Sequence, residues 1–200
     1  MCGIAGLIHK GKSVNIGSEL QSMLQALKHR GPDSTGYALY ADNDGQNFIM
    51  RFKVGENVGE GSSSVNEDSS VYDSRKKLVD NKLSELGATI IKEEQLTPYS
   101  FRYEIKYDKD LMEFSKKIES VEMVEILSLG KSLELIKDLG DAKTVYERYE
   151  LDKIKGTHGI GHTRMATESG VDIKSAHPFW GYPFSDVSVV HNEQLTNYWN

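Results

Sequence analysis

Tyr99, Phe101, Tyr103, Ile105 and Tyr107 alternate with other residues over nine positions. A period of two puts all five side chains on one face of a β-strand. Such a strand needs neighbours in a sheet and a cover for its aromatic face. The covers are legible as helical stripes. Leu20, Met23, Leu24 and Leu27 fall at i, i+3, i+4 and i+7, with Ser18 as the expected N-cap, Gln21 three residues on, and Gly31-Pro32 as the stop. Val79, Leu83 and Leu86 mark a second helix, stopped by Gly87. Leu111, Phe114 and Ile118 mark a third, opened by Asp108, and Ala142, Val145, Tyr146 and Tyr149 a fourth, opened by Asp141. Further strands are expected over 2–8, 37–40, 48–54, 121–127, 157–163 and 187–191, and a polar loop over 61–70. Helices and strands mix without a regular βαβ rhythm, so the spacing predicts an α+β fold.

Two hundred residues suit one domain. Thirty acidic against 24 basic residues give a net charge of −6. A nucleic-acid binder would carry a basic footprint, so that class is excluded as an expectation. No apolar run approaches the roughly 18 residues of a membrane span, and the first residues do not read as a secretory signal. The single cysteine, Cys2, rules out a disulfide framework within the chain and points to the cytoplasm.

Cys2 carries weight through its position. Removal of Met1 would leave a cysteine that holds a thiol and a free α-amine in one residue. That amine titrates near ~7.7–8.0, so a fraction is neutral at pH 7 and can accept the thiol proton. Nucleophile and base then need no histidine partner. The bland alternative is a small buried cysteine in a strand.

Several runs occur in a telling order: CGIAGLI (2–8), KHRGPDSTGYALY (28–40), GIGHTRMATES (159–169), AHPF (176–179) and VVHNEQLTNY (189–198). Together they resemble the class II glutamine amidotransferases, N-terminal-nucleophile hydrolases built as a four-layer αββα sandwich. The resemblance covers about residues 2–54 and 121–200, and leaves 55–120 as a family-variable insertion. The run SLGKSLELIKDLG (128–140) looks most like the amidotransferase subunit of split glutamate synthases and N-methylglutamate synthases.

The resemblance implies hydrolysis of the glutamine side-chain amide, with ammonia passed to a synthase subunit. That partner would carry the acceptor chemistry, so no cofactor is expected on this chain. Cys2 matches the nucleophile. Arg164 matches the arginine that pairs the glutamine α-carboxylate, a job suited to a planar fork. Thr167 matches a substrate-side hydroxyl. Arg30 and Gly31 match the loop beside the nucleophile. Asn192 matches the oxyanion-hole amide, and the backbone N–H of Glu193 the second oxyanion donor.

Two departures stand out. The family places glycine after that asparagine, where this chain has Glu193, whose carboxylate near a developing anion opposes catalysis. The family also continues beyond this point, with further strands and an aspartate for the substrate α-amino group, so the sandwich is expected to be C-terminally truncated. Both features favour an alternative, a catalytically impaired amidotransferase-like domain that serves as a binding or scaffold partner. Two further patterns are set aside. GLIHKGKS (6–13) matches a phosphate-loop pattern but lacks a good helix opening at Lys12. His158 and His162 would share a strand face, but no cysteine pair or dense carboxylate set joins them, so no metal is expected.

Overall fold

The computed structural model describes residues 2–55, 69–165 and 173–192. Thr167, Glu193 and positions 61–68 of the expected loop lie outside the described residues. In chain order the elements are β1 (Gly3–Ile8), α1 (Ile16–Ala26), β2 (Ser34–Ala41), β3 (Phe48–Lys53), α2 (Ser69–Leu86), β4 (Thr89–Thr97) and β5 (Ser100–Lys106). There follow α3 (Leu111–Ile118), β6 (Glu125–Gly130), β7 (Leu133–Leu139), α4 (Ala142–Arg148), β8 (Gly156–Arg164), β9 (Phe179–Trp180) and β10 (Ser188–Val189).

The aromatic alternation does what its period demands. Phe101, Tyr103 and Ile105 of β5 are buried against Val79, Leu83 and Leu86 of α2 and Phe114 and Ile118 of α3. Met50, Phe52 and Leu129 complete that core from β3 and β6. These strands form an antiparallel sheet in the order β4-β5-β3-β6. A second antiparallel sheet has the order β1-β8-β2-β7. Tyr37, Leu39 and Ile136 on one of its faces meet Leu20 and Leu24 of α1 and Val145 of α4. Gly159 and Gly161 of β8 let α1 come close: a Cβ on Gly161 would stand 2.5 Å from Leu24 Cδ1. The architecture is therefore mixed, with antiparallel sheets, and compatible with the expected α+β class.

The opposite face of that sheet presents Ala38, Leu133 and Leu135, with Ile160 and Tyr40 beside them. Residues 173–192 cross it. Lys137 donates to the Lys174 carbonyl at 3.3 Å and lies 4.7 Å from the centre of the Phe179 ring. Tyr40 Oη meets Ser188 Oγ at 2.9 Å, and β9 pairs with β10 into a small ribbon. No side chain larger than hydrogen fits at Gly36, because a Cβ there would run into the His177 carbonyl.

The two sheets are tied by charge. Glu134 on β7 accepts two hydrogen bonds each from Arg51 on β3 and Arg102 on β5, at 2.6–2.9 Å. Burial opposes the charge on Glu134, but the two guanidinium groups outweigh it and hold its carboxyl well below the usual range.

Several local expectations need correction. The cap of α1 is Asn15, whose side chain accepts from the Ser18 N–H at 3.0 Å. Ser18 instead turns its hydroxyl to Tyr146 Oη at 2.7 Å. The helix starts early because Ile16 as well as Leu20 is fully buried. The cap of α3 is Asp110, not Asp108, and it accepts from the Glu113 N–H at 2.6 Å. Residues 121–124 form turns, with Met123 at φ 63°, so the expected strand begins only at Glu125. β4, β7 and β9 were not expected. The capping prediction at Asp141 holds, as does Gly87, which takes φ +79° after α2.

Candidate functional site

Both ends of the described chain converge on one cleft. It has a volume of about 280 Å³ and is lined by Cys2, Gly3, Ile4, Leu27, Arg30 and Asn192. Cys2 enters it from the start of β1, Leu27 and Arg30 from the end of α1 and the 3-10 turn at Lys28–Arg30, and Asn192 from the end of the crossing segment. Arg30 Nε donates to the Cys2 carbonyl at 3.1 Å. That bond ties the backbone of the cysteine to the 3-10 turn.

Arg164 belongs to the same neighbourhood through register. β1 and β8 pair as Gly3 with Thr163 and Ile4 with His162. Cys2 directly precedes Gly3, and Arg164 directly follows Thr163. Arg164 is buried and pairs across the other edge with Ser34. Its carbonyl accepts from the Asp33 N–H at 3.1 Å, which closes the HRGPD loop onto β8. Gly31 sits in that loop against the backbone of Thr163 and Arg164. The structure thus gathers Cys2, Arg30, Gly31, Arg164 and Asn192, five of the seven residues singled out in the sequence. The remaining two, Thr167 and Glu193, lie outside the described residues.

Two histidines beside Arg164 were not among the residues singled out for the site. His162 shares a strand face with Arg164 and is almost fully buried. Its Nε2 lies 3.4 Å from His177 Nδ1, and the two rings meet edge to face at 4.6 Å. Burial pushes His162 down to about 3, with the charges of His177 and Arg164 acting the same way. Burial likewise pushes His177 down to about 4. Both are neutral at pH 7, so the guanidinium of Arg164 faces no competing cation from them. The available signal was their place inside GHTRMAT and AHPF, next to residues already singled out.

His158 shares a strand parity with His162 but stacks on Tyr40, ring centres 4.0 Å apart. Among the described residues no group of three or more His, Cys, Asp or Glu is placed to hold a metal ion. The phosphate-loop pattern spans β1 and an irregular stretch, and α1 opens at Ile16, four residues after Lys12. Among the described residues no helix is long and apolar enough to cross a membrane.

Known proteins with similar sequences carry amidotransferase names. A protein of Methanothermobacter thermautotrophicus that carries the name glutamine amidotransferase is 38% identical over 207 residues. The similarity takes in 100% of this chain and 63% of that protein. The homology is to glutamine amidotransferases. A glutamine amidotransferase-like protein of Rhizobium meliloti is 32% identical over 202 residues, covering 100% of this chain and 61% of the relative. A glutamine–fructose-6-phosphate aminotransferase of Bradyrhizobium diazoefficiens is 39% identical over 69 residues, 34% of this chain and 11% of the relative. The chain therefore spans just under two thirds of the length of its full-length amidotransferase homologues. No family model matches it.

Proposed function

We propose that this domain hydrolyses the side-chain amide of glutamine to glutamate and ammonia. The observation that carries the reading is the cleft shared by Cys2, Arg30 and Asn192, with Arg164 next to Thr163, the residue that pairs with Gly3 on the adjoining strand. In the proposed reaction Met1 has been removed. The α-amine of Cys2 takes the thiol proton, and the thiolate attacks the amide carbon. Asn192 donates to the tetrahedral oxyanion, and the backbone N–H of Glu193 is the second donor. Arg164 pairs the substrate α-carboxylate, Thr167 adds a hydroxyl, and Arg30 and Gly31 hold the loop beside the nucleophile. The C–N bond breaks as the α-amine returns its proton to the departing ammonia. A thioester with Cys2 remains, and water cleaves it to glutamate.

The same reading takes the fold as the αββα sandwich of N-terminal-nucleophile hydrolases, in the cytoplasm, and the ammonia acceptor as a synthase subunit of glutamate-synthase type. A dedicated acceptor makes chemical sense, because free ammonia is protonated and lost in water. One observation favours a second reading: Glu193 in place of glycine would put a carboxylate beside the oxyanion and leave a binding domain without turnover.

A glutaminase assay on protein shown by mass spectrometry to begin at Cys2 tests both. Cys2→Ala should abolish glutamate release while the circular dichroism spectrum stays that of the parent. Turnover retained in Cys2→Ala rejects the nucleophile. Parent protein that is alkylated at Cys2 by a diazoketone analogue of glutamine, yet releases no glutamate, selects the impaired-domain reading.

A further inference from the structure

Asn192 lines the Cys2 cleft, and the segment that leads to it is held at Asp186. Asp186 occupies the turn between β9 and β10 at φ 58°, a left-handed conformation uncommon outside glycine, asparagine and aspartate. Its carboxylate reaches across to the β6–β7 turn and accepts three backbone N–H groups. Oδ2 accepts from Lys131 at 3.0 Å, and Oδ1 from Ser132 at 2.7 Å and Leu133 at 2.8 Å. Successive N–H groups converging on one anion form a nest, a strong and directional arrangement. The sequence makes room for it: a Cβ on Gly130 would collide with the Asp186 carboxylate. Beyond Asp186, Ser188 pairs with Trp180, Val189 pairs with Phe179, and Ser188 is also held by Tyr40. From there three residues lead to Asn192 in the Cys2 cleft.

We propose that Asp186 is a positioning residue for the glutaminase reaction: by pinning the β9–β10 ribbon to the β6–β7 turn it fixes Asn192 over the nucleophile. This rests on the functional reading above. Asp186 touches no substrate. It acts through Asn192, whose task is in the transition state, so its loss should appear in kcat and leave KM nearly intact.

The test uses the full chain with Met1 removed, as Asp186→Ala, Asp186→Asn and Gly130→Ala, each with and without Asn192→Ala. Asp186→Ala should lower kcat by about tenfold or more, with KM within about threefold of the parent. Asp186→Asn should lose less, because its carboxamide oxygen can replace Oδ1 and keep two of three donors. Gly130→Ala should reproduce the defect from the other side of the contact. On the Asn192→Ala background Asp186→Ala should cost nothing further. Folding is checked by amide exchange: the N–H groups of Lys131, Ser132 and Leu133 should lose protection in Asp186→Ala, while those of β2 and β8 keep theirs.

An unchanged kcat in folded Asp186→Ala overturns the proposal, as does an equal loss on the Asn192→Ala background. If the parent shows no turnover, the functional reading fails, and the side-chain NH2 resonance of Asn192 still decides the positioning. A shift of that resonance in Asp186→Ala supports it, and an unmoved one overturns it.

Discussion

Adding one methyl group at Gly31 should cost both stability and turnover, and the geometry says how much. The φ of Gly31 is −176°, extended backbone that any residue adopts, so the case for glycine is space alone. A Cβ there would stand 2.5 Å from Arg164 C and 2.7 Å from both C and O of Thr163. These are backbone atoms of β8, which is paired on both sides, by β1 and β2, and has no room to retreat. Ordinary contact begins at 3.4 Å, so the loop bearing Gly31 must withdraw by about 0.9 Å (3.4 less 2.5). Overpacking of this kind costs about 1–3 kcal/mol. With a urea m-value of about 1–3 kcal/mol/M for a chain of this size, the unfolding midpoint should fall by about 1 M. The 3-10 turn moves with the loop, and the Arg30–Cys2 hydrogen bond, 3.1 Å long, stretches to about 4 Å and is lost. A displacement near 1 Å at a reacting group is worth about 100-fold in rate, so kcat/KM for glutamine should fall on that order. Gly11→Ala is the control. It takes φ +67° with nothing within 4 Å, so it should cost about 1–2 kcal/mol through its backbone and leave turnover unchanged. Parent-like turnover and midpoint in Gly31→Ala would show that the loop has room for a methyl group and does not hold Cys2. An equal loss of turnover in Gly11→Ala would mean that activity merely follows stability.

Two more expectations follow from buried charge. Glu134→Gln leaves Arg51 and Arg102 facing a neutral amide between the sheets, and should destabilise by about 3–5 kcal/mol in urea unfolding; a loss below about 1 kcal/mol would show that solvent reaches the cluster. His162 and His177 are neutral when folded, at about 3 and about 4, against 6.5 for the unfolded chain. Between those values the unfolded chain binds protons that the folded chain refuses. Their contribution is therefore complete above pH 6.5 and lost as pH falls toward about 4 for His177 and about 3 for His162. The slope is at most about 1.4 kcal/mol per pH unit for each histidine. Urea midpoints at pH 6.5 and 5.0 measure that slope, and His162→Gln should flatten it; an identical slope in the variant would remove His162 as its source.

What the sequence disclosed and what it hid divide along a physical line. β5 was legible because Phe101, Tyr103 and Ile105 are buried while Arg102 and Glu104 between them are less so. Each residue there answers to its own strand face. β7 was not legible, although it is more deeply buried. Its LELIKDL buries Glu134, Lys137 and Asp138 along with Leu133, Leu135 and Ile136, so no alternation survives. Those charges are tolerable because each has a partner: Lys137 pairs with Glu125, Asp138 with Arg148, and others arrive from far along the chain. Arg51 is 83 residues from Glu134, Arg102 is 32, and Tyr99 is 39 from Asp138. β4 hid for the reverse reason: TIIKEEQLT lies at an edge, mostly exposed, and shows neither stripe nor alternation. The site divides the same way. Cys2, Arg30 and Asn192 were legible from an ordered set of short motifs and line one cleft, while Gly31 and Arg164 from the same motifs meet through the β8 backbone beside it. The His162–His177 contact and the Asp186 pin were not, because a histidine or an aspartate looks alike in sequence whether it faces water or three converging N–H groups. Short-range signals report what a residue does to its own backbone. The His162–His177 contact and the Asp186–Lys131 bond act across 15 and 55 positions, and only the folded chain brings such residues to their partners.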